Sequence, residues 1–208
     1  MSYGGIEIAN ANRTRAYLNE IGLGIPASFA NCDCGATDNG PYDSPVTDPA
    51  PWVDPNRIES EYFLGLLAYN VRIDSVATHS VTSRSSLGAS IGRRYLRHRI
   101  VSVEGLMLAR YPDAQSYGEA WLRDVLSGNR SGCSPDSLRV LMSCPEIGEA
   151  QFRTLRRCGI VDGPTFSEAS AMPECYVQSV TFQIAAGVPW LMGDEIECLA
   201  EYNMAEMS

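Results

Sequence analysis

The chain has 208 residues, a formal net charge of −9 and 45% hydrophobic residues, a composition typical of a globular protein with one good core or two small ones. The negative charge repels nucleic-acid phosphates, so broad electrostatic binding of nucleic acid is disfavoured. There is no apolar run of about 18 residues, and the N-terminus lacks the basic and apolar parts of a secretory signal, so we expect neither a membrane helix nor a signal peptide.

The N-terminal segment predicts one strand, followed by a stretch that suits two structures. Ile6 and Ile8 fall on one face of a strand from Gly5 to Ala9. From Asn10 to Gly22, the apolar spacing suits a helix and a bent strand about equally well.

A long loop is predicted over residues 24–55, because it carries six prolines and many Gly, Asp, Asn and Ser residues. A loop of that length inside a compact domain is usually functional or held by a partner. Trp52, near its end, is expected to be an anchor, either in this chain's own core or in a groove of a neighbour.

A long β-hairpin is predicted over residues 69–109. Strand-like spacing runs from Tyr62 to Thr82, the stretch 81–90 is rich in Ser and Gly, and the return arm runs from Tyr95 to Ala109. Since a strand rises about 3.3 Å per residue, such an arm reaches beyond a small domain. We therefore expect it to pair with another subunit.

The return strand leads into the one convincing helix. Ala114, Tyr117, Trp121 and Val125 recur at steps of three and four residues, which places them on one helical face. Gly128 occupies the usual position of a C-terminal cap. The predicted fold class is mainly β with one packed α-helix (α+β), arranged as a β-sandwich.

Three further strands are predicted after the helix, and the clearest is the last of them. Val180, Phe182 and Ile184 face one way, and the intervening Ser, Thr and Gln residues face the other. The stretch 194–208 carries five acidic residues and no basic one, which favours a tail or a short docking helix. The sequence thus divides into one β domain at 1–193 and an acidic C-terminal tail at 194–208.

A cluster of basic residues lies at the start of the return strand. Four Arg and one His lie within seven residues, and three interpretations stay open: a solvated strand edge, an interface with an acidic neighbour, and a nucleic-acid contact. The interface hypothesis combines these arginines with two tryptophans. Its residues are Trp52, Arg93, Arg94, Arg97, Arg99 and Trp190.

The seven cysteines have no C-x-x-C spacing, and free thiols, some disulfides and a metal site all stay open. His79 and His98 lie on the two arms of the hairpin, where they are expected to be polar strand residues or to form a pH-sensitive contact. No catalytic serine elbow, phosphate-binding loop, dinucleotide motif or H-E-x-x-H zinc motif is present. We therefore expect no enzymatic activity and no cofactor, and we assign no residue as a metal ligand.

Several weak motifs in a fixed order give the chain a family resemblance. It resembles the minor tail proteins of long-tailed actinobacterial phages, in particular the distal-tail-protein-like group, over roughly residues 5–193. The segments that carry the resemblance are Ile6–Thr14, Ala50–Pro55, Val103–Leu106, Tyr117–Leu122, Arg153–Arg156, Gly163–Thr165 and Val180–Trp190.

The resemblance implies a structural virion protein with a tail-tube-like β-sandwich and no catalytic residues. It implies a ring, hexameric in relatives, that joins the tail tube to the tip or receptor-binding complex. The implied partners are further copies of the chain, the tail tube protein, the tape measure protein and other tail-tip proteins. Synthesis in the host cytoplasm and residence in the virion tail would follow. The alternatives are a tail tube or tail-terminator subunit, or a sugar-binding tail module in which Tyr42, Trp52 and Trp190 stack on sugars.

Overall fold

The structure, a computed structural model, describes residues 1–20, 22, 36–37, 40–41, 47–75, 77–85, 88–96, 98–128, 136–143, 151–172 and 174–193. Most of the predicted loop 24–55 and the whole acidic segment 194–208 lie outside these residues. The division into a domain and a tail therefore stays a prediction.

Twelve strands and two α-helices make up the described part of the chain. The strands are β1 (Ser2–Tyr3), β2 (Ile6–Glu7), β3 (Ala36–Thr37), β4 (Gly40–Pro41), β5 (Phe63–Ile73), β6 (Ala77–Ser85), β7 (Gly88–Leu96), β8 (Arg99–Ala109), β9 (Asp136–Ser143), β10 (Gln151–Phe166), β11 (Ser170–Ala171) and β12 (Tyr176–Met192). The helices are α1 (Ala11–Glu20) and α2 (Pro112–Leu126), and a 3₁₀ turn covers Ile58–Tyr62. The mainly β fold class with a packed helix is confirmed.

The sheet arrangement refines the predicted sandwich. A sandwich has two sheets that face each other, whereas one antiparallel sheet of eight strands runs here in the order β2-β1-β9-β10-β12-β8-β5, with β11 beside β12. The long strand β12 joins the two halves of this sheet, because it pairs with β10 along one edge and with β8 along the other. Register shifts in β10 raise the local twist, which is consistent with the curl of the sheet.

The predicted alternation in β12 is confirmed. Val180, Phe182 and Ile184 are buried, while Ser179 and Thr181 on the opposite face are exposed. Strand β8 lies beside it in exact register and buries Val101 and Val103 on the same side. The two strands therefore supply the centre of the core.

Helix α2 covers this core by packing against β5, β8 and β10. Ala114, Tyr117, Trp121 and Val125 are buried, as their spacing predicts. Gly128 follows the helix with φ +71° and donates its N–H to the carbonyl of Val125, so the predicted C-terminal cap is confirmed.

The segment after the first strand, for which the sequence suits a helix and a bent strand equally well, forms helix α1. Asn10 caps it, since its Oδ1 accepts hydrogen bonds from the backbone N–H of Asn12 and Arg13 at 3.0 and 3.2 Å. The predicted single strand before it is instead a tight hairpin of β1 and β2. Gly4 and Gly5 both have positive φ, as a type I′ turn requires.

A buried charged cluster joins α1 to the end of the long loop. Arg13 Nε lies 2.6 Å from Glu7 Oε1, and Arg13 Nη2 lies 3.0 Å from Asp48 Oδ2. Burial by itself lowers the pKa of Arg13, but the hydrogen bonds and charges of Glu7 and Asp48 outweigh it and raise that pKa. Asn10 Nδ2 donates to the second oxygen of Glu7 at 2.8 Å, so both oxygens of this buried carboxylate are bonded.

We expect Arg13→Ala to lower the free energy of unfolding by about 3–5 kcal/mol, because it leaves the buried Glu7 carboxylate without its positive partner. The exposed pair Arg72–Asp74, with 3.8 Å between Arg72 Nε and Asp74 Oδ1, provides the control. Arg72→Ala should change stability by less than about 1 kcal/mol. Urea unfolding of the two variants checks this, and equal losses would contradict a structural role for the Arg13 cluster.

Candidate assembly interface

Strands β6 and β7 extend beyond the main sheet, and we call this pair the arm. Strand β5 ends at Ile73, which pairs with Val101 of β8, and the chain then continues into the arm and back. Each arm strand has nine residues, which is about 30 Å at 3.3 Å per residue. Within the described part of the chain, the arm pairs with no third strand. An isolated two-stranded hairpin is marginally stable in water, so the arm is a segment that a further surface would stabilise.

Two of the four predicted arginines lie in this arm, and a third lies at its base. Arg93 and Arg94 are in β7, where Arg94 pairs with His79 of β6 close to a register shift. Arg97 lies outside the described residues. Arg99 begins β8 and donates from Nε to the carbonyl oxygen of Pro189 at 2.9 Å.

Arg99 thereby links the base of the arm to the end of β12. We call the place where they meet, formed by Arg99, Pro189 and Trp190, the arm junction. Arg99 pairs with Ala186, and beyond that pair β12 continues to Met192 without a β8 partner in the described structure. Trp190, next to the residue that Arg99 contacts, is 54% exposed. An exposed tryptophan beside an open strand edge is typical of a contact surface.

Trp52 is placed elsewhere, which corrects its inclusion among the interface residues. It is 1% exposed and lies in the core of its own chain, the first of the two positions left open by the sequence. Its Nε1 donates to the carbonyl of Phe63 at 2.8 Å, and Tyr117 Oη donates to the carbonyl of Trp52 at 2.6 Å. The rings of Phe63 and Trp121 meet it edge-on, with centroids at 5.4 and 5.7 Å. The side chain therefore has no surface to offer a neighbour.

A cavity that sequence reasoning missed lies between β9, β10 and β12. Its volume is about 550 Å³, and it is lined by Asp136, Ser137, Arg156, Arg157, Val188 and Met192. Asp136 is buried, and its Oδ1 has no hydrogen-bond partner among the described residues. Arg157 has a φ of +56°, a left-handed backbone at a register shift between β10 and β9. No spacing in the sequence signals such a bulge, because it depends on how β10 pairs with its neighbours.

The described residues contain no group of three or more His, Cys, Asp or Glu side chains placed to hold a metal ion. The two histidines do not face each other across the arm, since His79 pairs with Arg94 and His98 follows β7. Neither helix in the described structure is long and apolar enough to cross a bilayer.

Two of the seven cysteines lie in the described structure, and both are buried free thiols. Burial raises the pKa of Cys158 to about 11, and the pKa of Cys175 is raised as well. Such thiols stay protonated and poorly nucleophilic near neutral pH. The state of the other five cysteines stays a prediction.

No protein-family model matches the chain, and no curated protein matches it. Among solved structures, it is similar to the Dit protein (gp 19.1) of SPP1, described as a paradigm of the hub adsorption apparatus in phages that infect Gram-positive bacteria. The identity is 15% and the TM-score is 0.38; the match covers 66% of this chain. The chain matches only 49% of the length of that protein.

We expect the two tryptophans to respond oppositely to truncation. Trp52→Ala removes a buried ring and should lower the free energy of unfolding by about 3–5 kcal/mol. Trp190→Ala should change it by about 0.5 kcal/mol or less, because the ring is mostly exposed. Urea unfolding of the isolated chain measures both, and a large loss for Trp190→Ala would contradict a surface role for that residue.

Cys158 should resist alkylation in the native protein. With a pKa of about 11, its thiolate fraction at pH 8 is about a hundredfold below that of an ordinary thiol, and burial slows access further. Iodoacetamide labelling at pH 8, followed by peptide mass spectrometry, should modify Cys158 in urea but not in native buffer. Equal labelling under both conditions would contradict this.

Proposed function

We propose that this chain is a structural subunit of a phage tail tip that assembles into a closed ring. The observation that carries the proposal is the arm, whose two strands leave the main sheet and pair with no third strand of the described chain. The family resemblance in the sequence gives the proposal its biological setting. The structural similarity to SPP1 Dit is too low to add to this argument.

A closed ring requires each subunit to offer two different surfaces that fit each other. The arm with its junction supplies one, since it combines an open β12 edge with the exposed ring of Trp190. The outer edge of β5, the last strand of the main sheet, supplies a second place where a neighbour's strand can add. The positive charges of Arg93, Arg94 and Arg97 favour an acidic neighbour, and with a net charge of −9 the chain offers many carboxylates.

The finer features follow from the resemblance. The ring would be a hexamer of distal-tail-protein type in an actinobacterial phage, located in the virion tail after synthesis in the host cytoplasm. Its partners would be the tail tube protein, the tape measure protein and other tip proteins, with no enzymatic role, cofactor, membrane contact or specific nucleic-acid site. A negative net charge suits a lumen through which DNA passes without adhering. The alternative is a tail tube or tail-terminator subunit. The number of copies per virion distinguishes a tube subunit, which occurs in many stacked rings, from a tail-tip ring subunit.

One observation favours a second function, a sugar-binding tail module. Trp190 is exposed, and an aromatic ring can stack on a sugar. The other proposed stacking residues do not join it, because Trp52 is buried and Tyr42 lies outside the described residues. A glycan array without any bound sugar would exclude this function.

The ring is tested by native mass spectrometry and negative-stain imaging of the purified full chain. We expect ring particles several times the 22.7 kDa mass of one chain, and we expect the protein at the tail tip of virions by immunogold labelling. Trp190→Ala together with Arg99→Ala should weaken assembly by about tenfold or more, because both changes fall at the arm junction.

Tyr111→Ala serves as the control, because this exposed residue follows β8 at the strand end opposite the arm junction. It should leave assembly unchanged. A chain that stays monomeric at high concentration and is absent from virions would refute the proposal.

A further inference from the structure

Two consecutive arginines of β10 lie on the same face of the sheet. Leu155 and Cys158 are buried, whereas Arg156 and Arg157 between them are both exposed. In a regular strand neighbouring side chains point to opposite faces, so one of the two arginines would point into the core. Here the register with β9 shifts between Arg156 and Cys158, and the extra residue lets both side chains point away from the core.

The bulge holds Arg157 in a conformation that residues with a Cβ atom rarely adopt. Within the described part of the chain, it is the only residue other than glycine with a positive φ. A glycine would fit this position with less strain, yet the position carries an arginine. Strained backbone of this kind clusters at sites that bind a ligand or a partner.

Both arginines line the cavity of about 550 Å³ between β9, β10 and β12. Asp136 is the one carboxylate among the described lining residues, so two guanidinium groups leave an excess of one positive charge. Arg156 already interacts within the chain, whereas Arg157 makes no hydrogen bond or ion pair with any described residue. The guanidinium of Arg157 is therefore available to an incoming anion.

The cavity adjoins the arm junction. Val188 and Met192 of β12 line the cavity, and Pro189 and Trp190 of the arm junction lie between them along the strand. Val188 also pairs with Arg156, which places the β12 side of the cavity directly beside the bulge. A subunit that covers the arm junction would therefore reach the cavity as well.

We propose that this cavity receives a carboxylate side chain from a second copy of the chain, bound by the guanidinium of Arg157. The planar N–H donors of a guanidinium match the two oxygens of a carboxylate. The chain carries 25 acidic and 16 basic residues, so a second copy offers carboxylates in excess. Val188 and Met192 provide apolar surface beside the pair, and excluding water strengthens its attraction. The inference rests on the proposed ring, and it names the chemical group that one ring surface receives.

The test uses the absence of lysine from the sequence. Arg157→Lys introduces the only side-chain amine, which a carbodiimide joins to a carboxylate in direct contact. Chains labelled with light and heavy nitrogen are mixed, assembled and crosslinked, and peptide mass spectrometry shows whether the carboxylate belongs to the same chain or to another. We expect a crosslink between copies. Arg110→Lys is the matched control, because this exposed arginine follows β8 at the strand end opposite the arm junction, and it should give no crosslink between copies.

Assembly of a second variant provides an independent readout. Arg157→Gln should weaken ring formation about tenfold in native mass spectrometry, because the incoming carboxylate loses its partner. Arg110→Gln removes the same charge elsewhere and should leave ring formation unchanged. Both variants should unfold in urea at the wild-type midpoint, which separates an effect on assembly from one on folding.

Rings that form equally well with Arg157→Gln would overturn this inference, and so would crosslinks confined to one chain. Either result leaves the ring itself standing. A wild-type chain that stays monomeric would instead refute the proposed function, so native mass spectrometry of the wild type distinguishes the two failures.

Discussion

The packing of Trp52 beneath helix α2 is the interaction on which the arrangement of the domain depends. Its indole N–H bonds the backbone where β5 begins, and its own carbonyl accepts the hydroxyl of Tyr117 from the helix. The glycine at position 65 leaves room for the ring, since a Cβ there would lie 2.9 Å from Trp52 and 2.7 Å from Thr14 of α1. One side chain thus fixes the end of a long loop, the first long strand and both helices relative to one another.

The sequence allows the helix α2 and the central strands to be predicted, because each carries one strong period over many residues. In β12, alternation alone places Val180, Phe182 and Ile184 in the core. Helix α1 is harder to predict, because its buried face includes Arg13 and Thr14, which a hydrophobicity pattern counts as polar. Asn10 and Gly22 were available as cap signals at its two ends. The joining of all main strands into one sheet is not visible locally, because it depends on which edges pair.

For the candidate interface, too, the sequence predicts one part and misses another. A run of arginines beside a hairpin predicts a charged edge, and in the structure Arg99 donates a hydrogen bond to the carbonyl of Pro189, the residue before Trp190. The pattern cannot distinguish an exposed tryptophan from a buried one, so Trp52 and Trp190 look alike in sequence. Burial depends on contacts with Phe63 and Trp121, which come from later parts of the chain.

The position of β12 has a consequence for synthesis. It is the last described strand along the chain, yet it lies in the middle of the main sheet between β10 and β8. The pairs β5–β8 and β9–β10 can form while translation continues, but each then exposes an edge of unpaired backbone N–H and C=O groups until β12 emerges from the ribosome. Such late, non-local pairing slows folding and leaves nascent chains prone to aggregate. A chain interrupted before β12 cannot close its sheet, so only fully translated copies would present a complete surface to their neighbours.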